Sequence, residues 1–556
     1  MTKAPILPRR IAFLALAIAI MAGLFWLAWA TLAPGGWTVA EMLILICIAG
    51  TLPWAALSAG NALIGLGILL FARDPVVAVL PALAASRPGL PQARTAIAIC
   101  IRREDMALVL PPLARLLAGL AAAGAAERFS LWFLSDTPEG SDALAEEAAC
   151  RAFAAAQPIA THYRRRAQNI GFKSGNVMEF LDHHADGHEF MLCLDADSEM
   201  TADAVLRLVA CMEADPKLAI LQQLIHGRPT KAGFPRLFQF GMRQGMRAWA
   251  TGQAWWQGDE GPYWGHNAVI RIAPFRAHAR LETLADGSHI LSHDQVEATR
   301  LHAAGWKVRV LPDDAGSSEG NPPSYADFIT RDLRWAAGNM QYLALLRLPG
   351  LTPMARWQLV QAILLFLSAP FYVAILLLAA FNGLSGGGES TPIGALLALL
   401  FAGWCCHYAA KLAGYVEVLL KPDLAARYGG RAQFLRGALA ELVFTTFMEP
   451  ARLMSQCLFL MAMPFGMRMG WAPQNRSERG IGFADALKQF WAPTLTGLAL
   501  SFVFAAVSFT ASLVAAPVLI SLICVIPFAM LTANPRFSAW LVRRRICALP
   551  EEFPPA

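Results

Sequence analysis

The chain has 556 residues, 56% of them hydrophobic and only 15% charged, with a mean hydropathy of +0.44. Soluble globular proteins average about 25% charged residues, so water is not its only solvent. Unpatterned Gly (43) and Pro (35) and only 10 Cys exclude collagen-like repeats, disorder and a disulfide scaffold, and a dispersed net charge of +6 argues for no nucleic acid partner.

Apolar runs of about 20 residues, enough to cross a bilayer, lie at both ends of the chain and are missing from its middle. Ile11 to Leu32, behind Lys3, Arg9 and Arg10, exceeds a cleaved signal's apolar core and is followed at once by Met42 to Phe71. Both are predicted as retained membrane helices, giving an N-terminal membrane region over 1–72. Ala33 to Ala40 carries no Lys or Arg while both outer flanks do, which places the N-terminus and the chain after Arg73 in the cytoplasm.

Residues 73–327 are expected to form a cytoplasmic domain. Across 95–311, short β-branched or aliphatic runs alternate with segments of helical period, the pattern of an α/β domain with a mostly parallel sheet. Strands are predicted at Thr95 to Ile101, Phe129 to Leu134, Phe190 to Leu194, Leu218 to Gln222 and Lys307 to Leu311. Open α/β sheets bind ligands at the carboxyl ends of their strands, and those ends carry acids: Glu104 and Asp105, Asp136, and the pair Asp195 and Asp197. Two carboxylates leaving one buried strand are costly unless a divalent cation neutralises them, which favours Mg²⁺ or Mn²⁺. The alternative is that one of them caps the next helix, Thr201 to Glu213.

Between these acids lie Arg164, Arg165, Arg166, Asn169 and the string Gly171-Phe-Lys173-Ser-Gly-Asn176, which reads either as a diphosphate cradle at a helix start or as a solvated basic loop. Leu291-Ser-His-Asp294 opens a helix that ends at Ala304-Gly305. Asp294 there is either a general base or a residue compensating the helix dipole, and His293 is structural. Arg331-Asp-Leu-Arg334-Trp335 begins an amphipathic stretch, Phe328 to Leu346, expected to lie along the membrane surface within 328–356.

A C-terminal bundle of about five or six membrane helices is expected over 357–534, with a cytoplasmic tail over 535–556. Its apolar runs are Leu359 to Leu384, Thr391 to Leu420, Gly437 to Met463, Thr494 to Val514 and Ala516 to Leu531. Basic clusters at Lys421 to Arg436, at Arg468, Arg476, Arg479 and Lys488, and at Arg543 to Arg545 mark cytoplasmic segments. Two consecutive cytoplasmic loops then require Gly437 to Met463 to return to the side it left, as two short helices or a hairpin broken at Glu449-Pro450 with Arg452; a single span with a flipped tail is the rival.

Taken together, Leu134-Ser-Asp136-Thr, Asn169-Ile-Gly-Phe-Lys173-Ser-Gly-Asn176, Leu194-Asp-Ala-Asp197-Ser-Glu-Met200, Gly265-His-Asn267, Leu291-Ser-His-Asp294 and Arg331-Asp-Leu-Arg-Trp335-Ala-Ala-Gly-Asn339-Met-Gln341 resemble family 2 glycosyltransferases with a GT-A (Rossmann-like) fold. Among these they are most similar to the membrane-integrated glucosyltransferases of osmoregulated periplasmic glucan synthesis, and Pro550-Glu551-Glu552 resembles that family's tail. The resemblance implies a bacterial inner-membrane enzyme that takes UDP-glucose, inverts the anomeric centre and extends a β-linked glucan, with a 1,2-linked backbone, processively across the membrane. It implies that Glu104 and Asp136 hold the uridine, Lys173 the diphosphate, and Asp195 and Asp197 the nucleotide and Mg²⁺ or Mn²⁺. Asp294 is then the general base, Arg331, Arg334 and Trp335 the leaving-group clamp, and Trp264, Gly265, His266 and Asn267 the acceptor side.

Beyond the growing glucan and membrane lipid, the family suggests an acyl carrier protein and a periplasmic glucan-modifying protein as partners. Cellulose-synthase-like members carry Gln at Arg331 and Thr-Glu-Asp at Ser292-His293-Asp294, which disfavours a cellulose or chitin product, and a cellulose, chitin or hyaluronan-like synthase of the same fold is the rival reading; Arg103 replaces a usual Asn. The long N-terminal cytoplasmic extension of larger members is not expected here. A transporter with a nucleotide-sensing domain is the reading from another class. Trp404, Tyr408 and Tyr415 either line a glucan path or pack between helices.

Overall fold

The computed structural model describes residues 6–86, 89–469 and 480–553; Lys3, Arg476 and Arg479, used above for orientation, lie outside the described residues. Seven strands form one sheet: β1 (Thr95–Ile101), β2 (Phe129–Ser135), β3 (Thr161–Arg165), β4 (Phe190–Asp195), β6 (Leu218–Gln223), β8 (Ala268–Arg271) and β9 (Lys307–Leu311), with β5 (Glu199–Met200), β7 (His226–Gly227) and β10 (Ser317–Glu319) in a small second sheet. The large sheet runs β3-β2-β1-β4-β8-β6-β9, parallel except for β8, which is antiparallel to both neighbours. β1, β4 and β6 are buried on both faces because helices cover the sheet on each side, so their sequences are nearly continuous in apolar residues. All five predicted strands are present; β3 and β8 and the small sheet are additional.

Four helices among the described residues are long and apolar enough to cross a membrane: Ile6–Leu32, Val39–Phe71, Pro353–Leu384 and Phe483–Val507. Two bent pairs raise the number to six if each is one span, Ile393–His407 with Ala409–Leu420 at 73° and Phe509–Ile523 with Val525–Thr532 at 55°. The chain is accordingly a membrane protein. Thr391 to Leu420 is thus not a straight span but kinks at Tyr408. The boundary expected near Val514 falls instead at Ser508, whose side chain caps the following helix.

The expectation of a break at Glu449-Pro450 is corrected: Arg431–Ala462 is one continuous helix with Pro450 inside it. The charges that suggested a break are neutralised in place. Arg452 donates to Glu449 at 2.8 Å one turn away and lies 3.6 Å from Asp332 of another helix.

The segment that joins the two parts is the central helix, Gly233–Gln257, most of whose residues are buried. Although it lies in sequence within the sheet domain, it packs on Val39–Phe71, Ala409–Leu420 and Arg431–Ala462. The crossing with Val39–Phe71 needs glycine on both sides: a Cβ at Gly65 would stand 1.8 Å from the Ala248 carbonyl oxygen, and one at Gly252 would stand 1.9 Å from that of Asn61. The interface helix, Tyr325–Leu345, packs on Pro353–Leu384 and Arg431–Ala462. Its Arg331, Asp332 and Arg334 are buried, so the polar side expected to face water is turned into the protein.

Candidate active site

Because β1, β2 and β4 are parallel neighbours in register, Ile101 pairs with Ser135 and Cys100 with Asp195, and the acids that follow them emerge at one edge. Asp136 is gripped bidentately by Arg166, at 2.6 and 3.0 Å, both side chains nearly buried. Arg166 also donates to the carbonyls of Ile170 and Phe172 and to Asn169 Oδ1, so one guanidinium orders the whole basic loop and its buried charge is answered several times. Both glycines of the string are required there. Gly171 has φ +70°, and a Cβ at Gly175 would lie 2.0 Å from the Ile170 carbonyl oxygen. Glu104 stands half-buried in the adjacent turn, where the Arg103 N–H donates to Thr137 Oγ1 at 2.8 Å.

This loop delivers Lys173, in the first turn of Phe172–His183, to the end of β4. Its ammonium pairs with Asp195 and donates to the Gly265 carbonyl at 2.8 Å. Burial alone would lower the Lys173 pKa, but Asp195 outweighs it and the value is raised, so the lysine stays charged. The Gly265 carbonyl also accepts from Tyr263 Oη at 3.0 Å and Cys193 Sγ at 3.2 Å. Gly265 itself has φ +87°, and a Cβ there would meet Asp294 Oδ2 at 3.5 Å. Lys173, Asp195, Gly265 and Asp294 therefore enclose one small volume.

Asp197 stands beside Gly320, where a Cβ would lie 3.5 Å from both Asp197 Oδ2 and Arg228 Nη2. Across from it is Glu319 of β10, an acid that the sequence did not single out. Glu319 lies 3.3 Å from His266 Nε2, while His266 Nδ1 is 3.1 Å from Ser198 Oγ, which accepts the Asp195 N–H. Burial raises the Glu319 pKa, with His266 and Arg331 opposing and Asp197 and Asp195 adding to it. Among the described residues no three His, Cys, Asp or Glu side chains converge as a ready cage. The donor set still suits a hard cation: Asp195 and Asp197 offer carboxylate oxygens, and phosphate oxygens complete such shells.

Asp294 stands in the first turn of the helix His293–Ala303, and its position is fixed from two sides. Glu297, 2% exposed, accepts from Ser174 at 2.7 Å and lies 2.9 Å from His293 Nδ1, which holds His293 and ties this helix to the Lys173 helix. The interface helix holds the approach: Tyr342 Oη donates to the Ser292 carbonyl at 2.8 Å and Gln341 accepts the Leu291 N–H at 2.9 Å. Gly338 lets Ser292 in, since a Cβ there would stand 2.1 Å from Ser292 Oγ. Burial raises the Asp294 pKa, against the pull of His293 and Lys173.

The same helix carries the expected clamp. Arg331 and Arg334 are 8% and 6% exposed, and the Arg331 guanidinium stacks 4.7 Å over the Trp335 ring, itself 44% exposed. Arg331 lies within Coulomb reach of Glu319, Asp197 and Asp332, and its Nε makes no hydrogen bond among the described residues. Of the residues expected on the acceptor side, Gly265 and His266 face the acids. Asn267 is fully buried at φ +50°, its amide donating to Ser317 Oγ at 3.0 Å, and Trp264 packs on the cluster of Val79, Ala254 and Val310.

Trp404, Tyr408 and Tyr415 all reach the Arg431–Ala462 helix, at Thr446, Thr445 and Glu441 respectively.

Comparison with known proteins shows what the chain is similar to. The profile of Glycosyl transferase family group 2 matches residues 190–535, and that of Glycosyl transferase family 2 matches 97–278. The chain is 31% identical to the glucans biosynthesis glucosyltransferase H of Rhodopseudomonas palustris, over 90% of this chain and 72% of that one, and 31% identical to that of Xylella fastidiosa, over 96% and 86%. Among solved structures, a mannosyltransferase of Pyrobaculum calidifontis in complex with GDP-mannose and Mn²⁺ overlays at a TM-score of 0.44 and 16% identity, covering 68% of this chain and 99% of its own, a likeness too weak to transfer anything.

Proposed function

The chain belongs to glycosyl transferase family 2 and, within it, to the glucans biosynthesis glucosyltransferase H proteins, and from that membership we propose that it polymerises glucose from UDP-glucose into a β-linked glucan with a 1,2-linked backbone. The observation that carries this reading is the bridging of Asp195 and the Gly265 carbonyl by Lys173, with Asp294 packed on the same glycine.

Asp294 takes the proton from the acceptor hydroxyl as its oxygen bonds to the anomeric carbon and the bond to UDP breaks on the opposite face, which inverts the centre. Its raised pKa makes it a stronger base than an ordinary carboxylate. Lys173, Arg331 and Arg334 receive the departing diphosphate, Trp335 backs Arg331, Glu104 and Asp136 hold the uridine, and His266 beside Gly265 meets the acceptor sugar, with Trp264 and Asn267 shaping that side from behind. Asp195 and Asp197 would hold a divalent cation, Mg²⁺ or Mn²⁺, whose charge offsets that of the leaving group. The sheet domain, within 73–327, and both termini face the cytoplasm, and the glucan passes outward through the helices of 357–534 without leaving the enzyme between additions. An acyl carrier protein and a periplasmic glucan-modifying protein are its proposed partners.

Purified full-length protein given UDP-glucose and Mg²⁺, with product linkage read directly, tests the reading. A 1,2-linked glucan is expected; consumption of UDP-N-acetylglucosamine but not UDP-glucose overturns it.

A further inference from the structure

Within Arg331-Asp332-Leu333-Arg334-Trp335 the acid has no part in the reaction outlined above, yet it is the most buried residue of the five. Asp332 is 4% exposed; it accepts from Gln456 Nε2 at 2.7 Å and lies 3.6 Å from Arg452 Nη1, both on the Arg431–Ala462 helix. Arg452 is fixed in turn by Glu449, at 2.7 and 2.8 Å, and Glu449 stands 3.8 Å from His407. A chain of polar and charged side chains thus runs from His407 of the kinked helix pair to the residue next to the expected clamp.

Arg331 is the nearest other cation in sequence to Asp332 and lies within its Coulomb reach. In a site shielded from water an unanswered carboxylate attracts such a neighbour strongly. Resting on the function proposed above, we propose that Arg452 is a positioning residue: by neutralising Asp332 it keeps Arg331 turned toward Asp197 and Glu319, where the diphosphate of the donor is received. Arg452 touches neither donor nor acceptor and acts only through Asp332.

Full-length variants purified in detergent, assayed for UDP-glucose turnover and for direct UDP binding, test this. Arg452→Gln is expected to raise the KM for UDP-glucose and the Kd for UDP about tenfold, the size of one charge-assisted contact. Adding Asp332→Asn to it is expected to restore both, because the acid that recaptures Arg331 is gone, and Asp332→Asn alone stays within about threefold of wild type. A packing defect behaves otherwise, since it lowers the folded fraction without a KM shift. If Arg452→Gln yields no folded protein, Gln456→Leu removes the other partner of Asp332 and is expected to give a smaller rise that Asp332→Asn again reverses. Unchanged KM in folded Arg452→Gln, or a rise that Asp332→Asn does not relieve, overturns the inference. Wild-type protein that binds no UDP-glucose instead overturns the proposed function, and this inference with it.

Discussion

Two groups of charged side chains border the small sheet, one at His226 and one at Glu319, and differ in how their charges are answered. On the central helix, Arg243 pairs with Asp314 at 2.7 Å and Glu551 at 2.8 Å, and Arg236, 1% exposed, pairs with Glu552 and donates to the Ile546 carbonyl. There the tail residues Glu551 and Glu552 serve as fixed counter-charges. At the sheet edge, burial raises the pKa of Asp294 and of Glu319, whereas for Asp314 the effect of burial is outweighed by Arg243 and the pKa is lowered. Charge removed from water is costly unless answered. The Arg243 ion pair outweighs the burial of Asp314, whereas at Asp294 and Glu319 burial prevails over the neighbouring cations.

Substitutions separate the two. Asp294→Asn keeps the shape and removes the proposed base, so kcat is expected to fall about 10²- to 10⁴-fold while UDP binding stays; initial rates and UDP titration on the same preparation check it. Arg243→Ala leaves Asp314 buried without its strongest partner and is expected to cost about 3–5 kcal/mol of stability, with the KM of the folded fraction within about threefold of wild type. Thermal unfolding beside kinetics reads both, and a large KM shift without a fall in Tm would join the two groups into one. Lys173→Met removes the cation proposed to receive the diphosphate and is expected to raise the KM for UDP-glucose about 10- to 100-fold, read in steady-state kinetics.

The strands that bear the site were legible because burial on both faces makes them short apolar runs, and the acids at their ends stand out against such runs. β3 was not, since Thr161–Arg165 is a half-exposed edge strand with two arginines, and β8 is only four residues long. Glu319 was hidden for a related reason: its three-residue strand has no periodicity, and its neighbours His266 and Asp197 are distant in sequence. Asn267 was readable as part of a motif but not as a buried turn residue, because left-handed backbone leaves little trace beyond an Asn or Gly. Glu449, Pro450 and Arg452 suggested a break because charges avoid lipid; their partners Asp332 and His407, which make the continuous helix tenable, lie on other helices.

The smallest expected effect concerns protons. Burial lifts the Asp294 pKa above its unfolded value of 3.8, so the folded protein holds that proton more tightly than the unfolded chain does. The stability this group contributes is therefore fully present below the unfolded pKa and is lost as pH rises through the folded one. Activity runs the other way, because only the carboxylate accepts the proton of the acceptor: kcat is expected to fall as pH drops through the raised pKa. Asp294→Asn removes the titration. Its Tm at pH 8 is expected to exceed that of wild type, with the difference shrinking toward pH 4, although its transfer activity is lost. A Tm for the variant below wild type at pH 8 would mean that the Asp294 charge is answered by His293 and Lys173 as fully as that of Asp314 is by Arg243, and the two groups would no longer differ in kind.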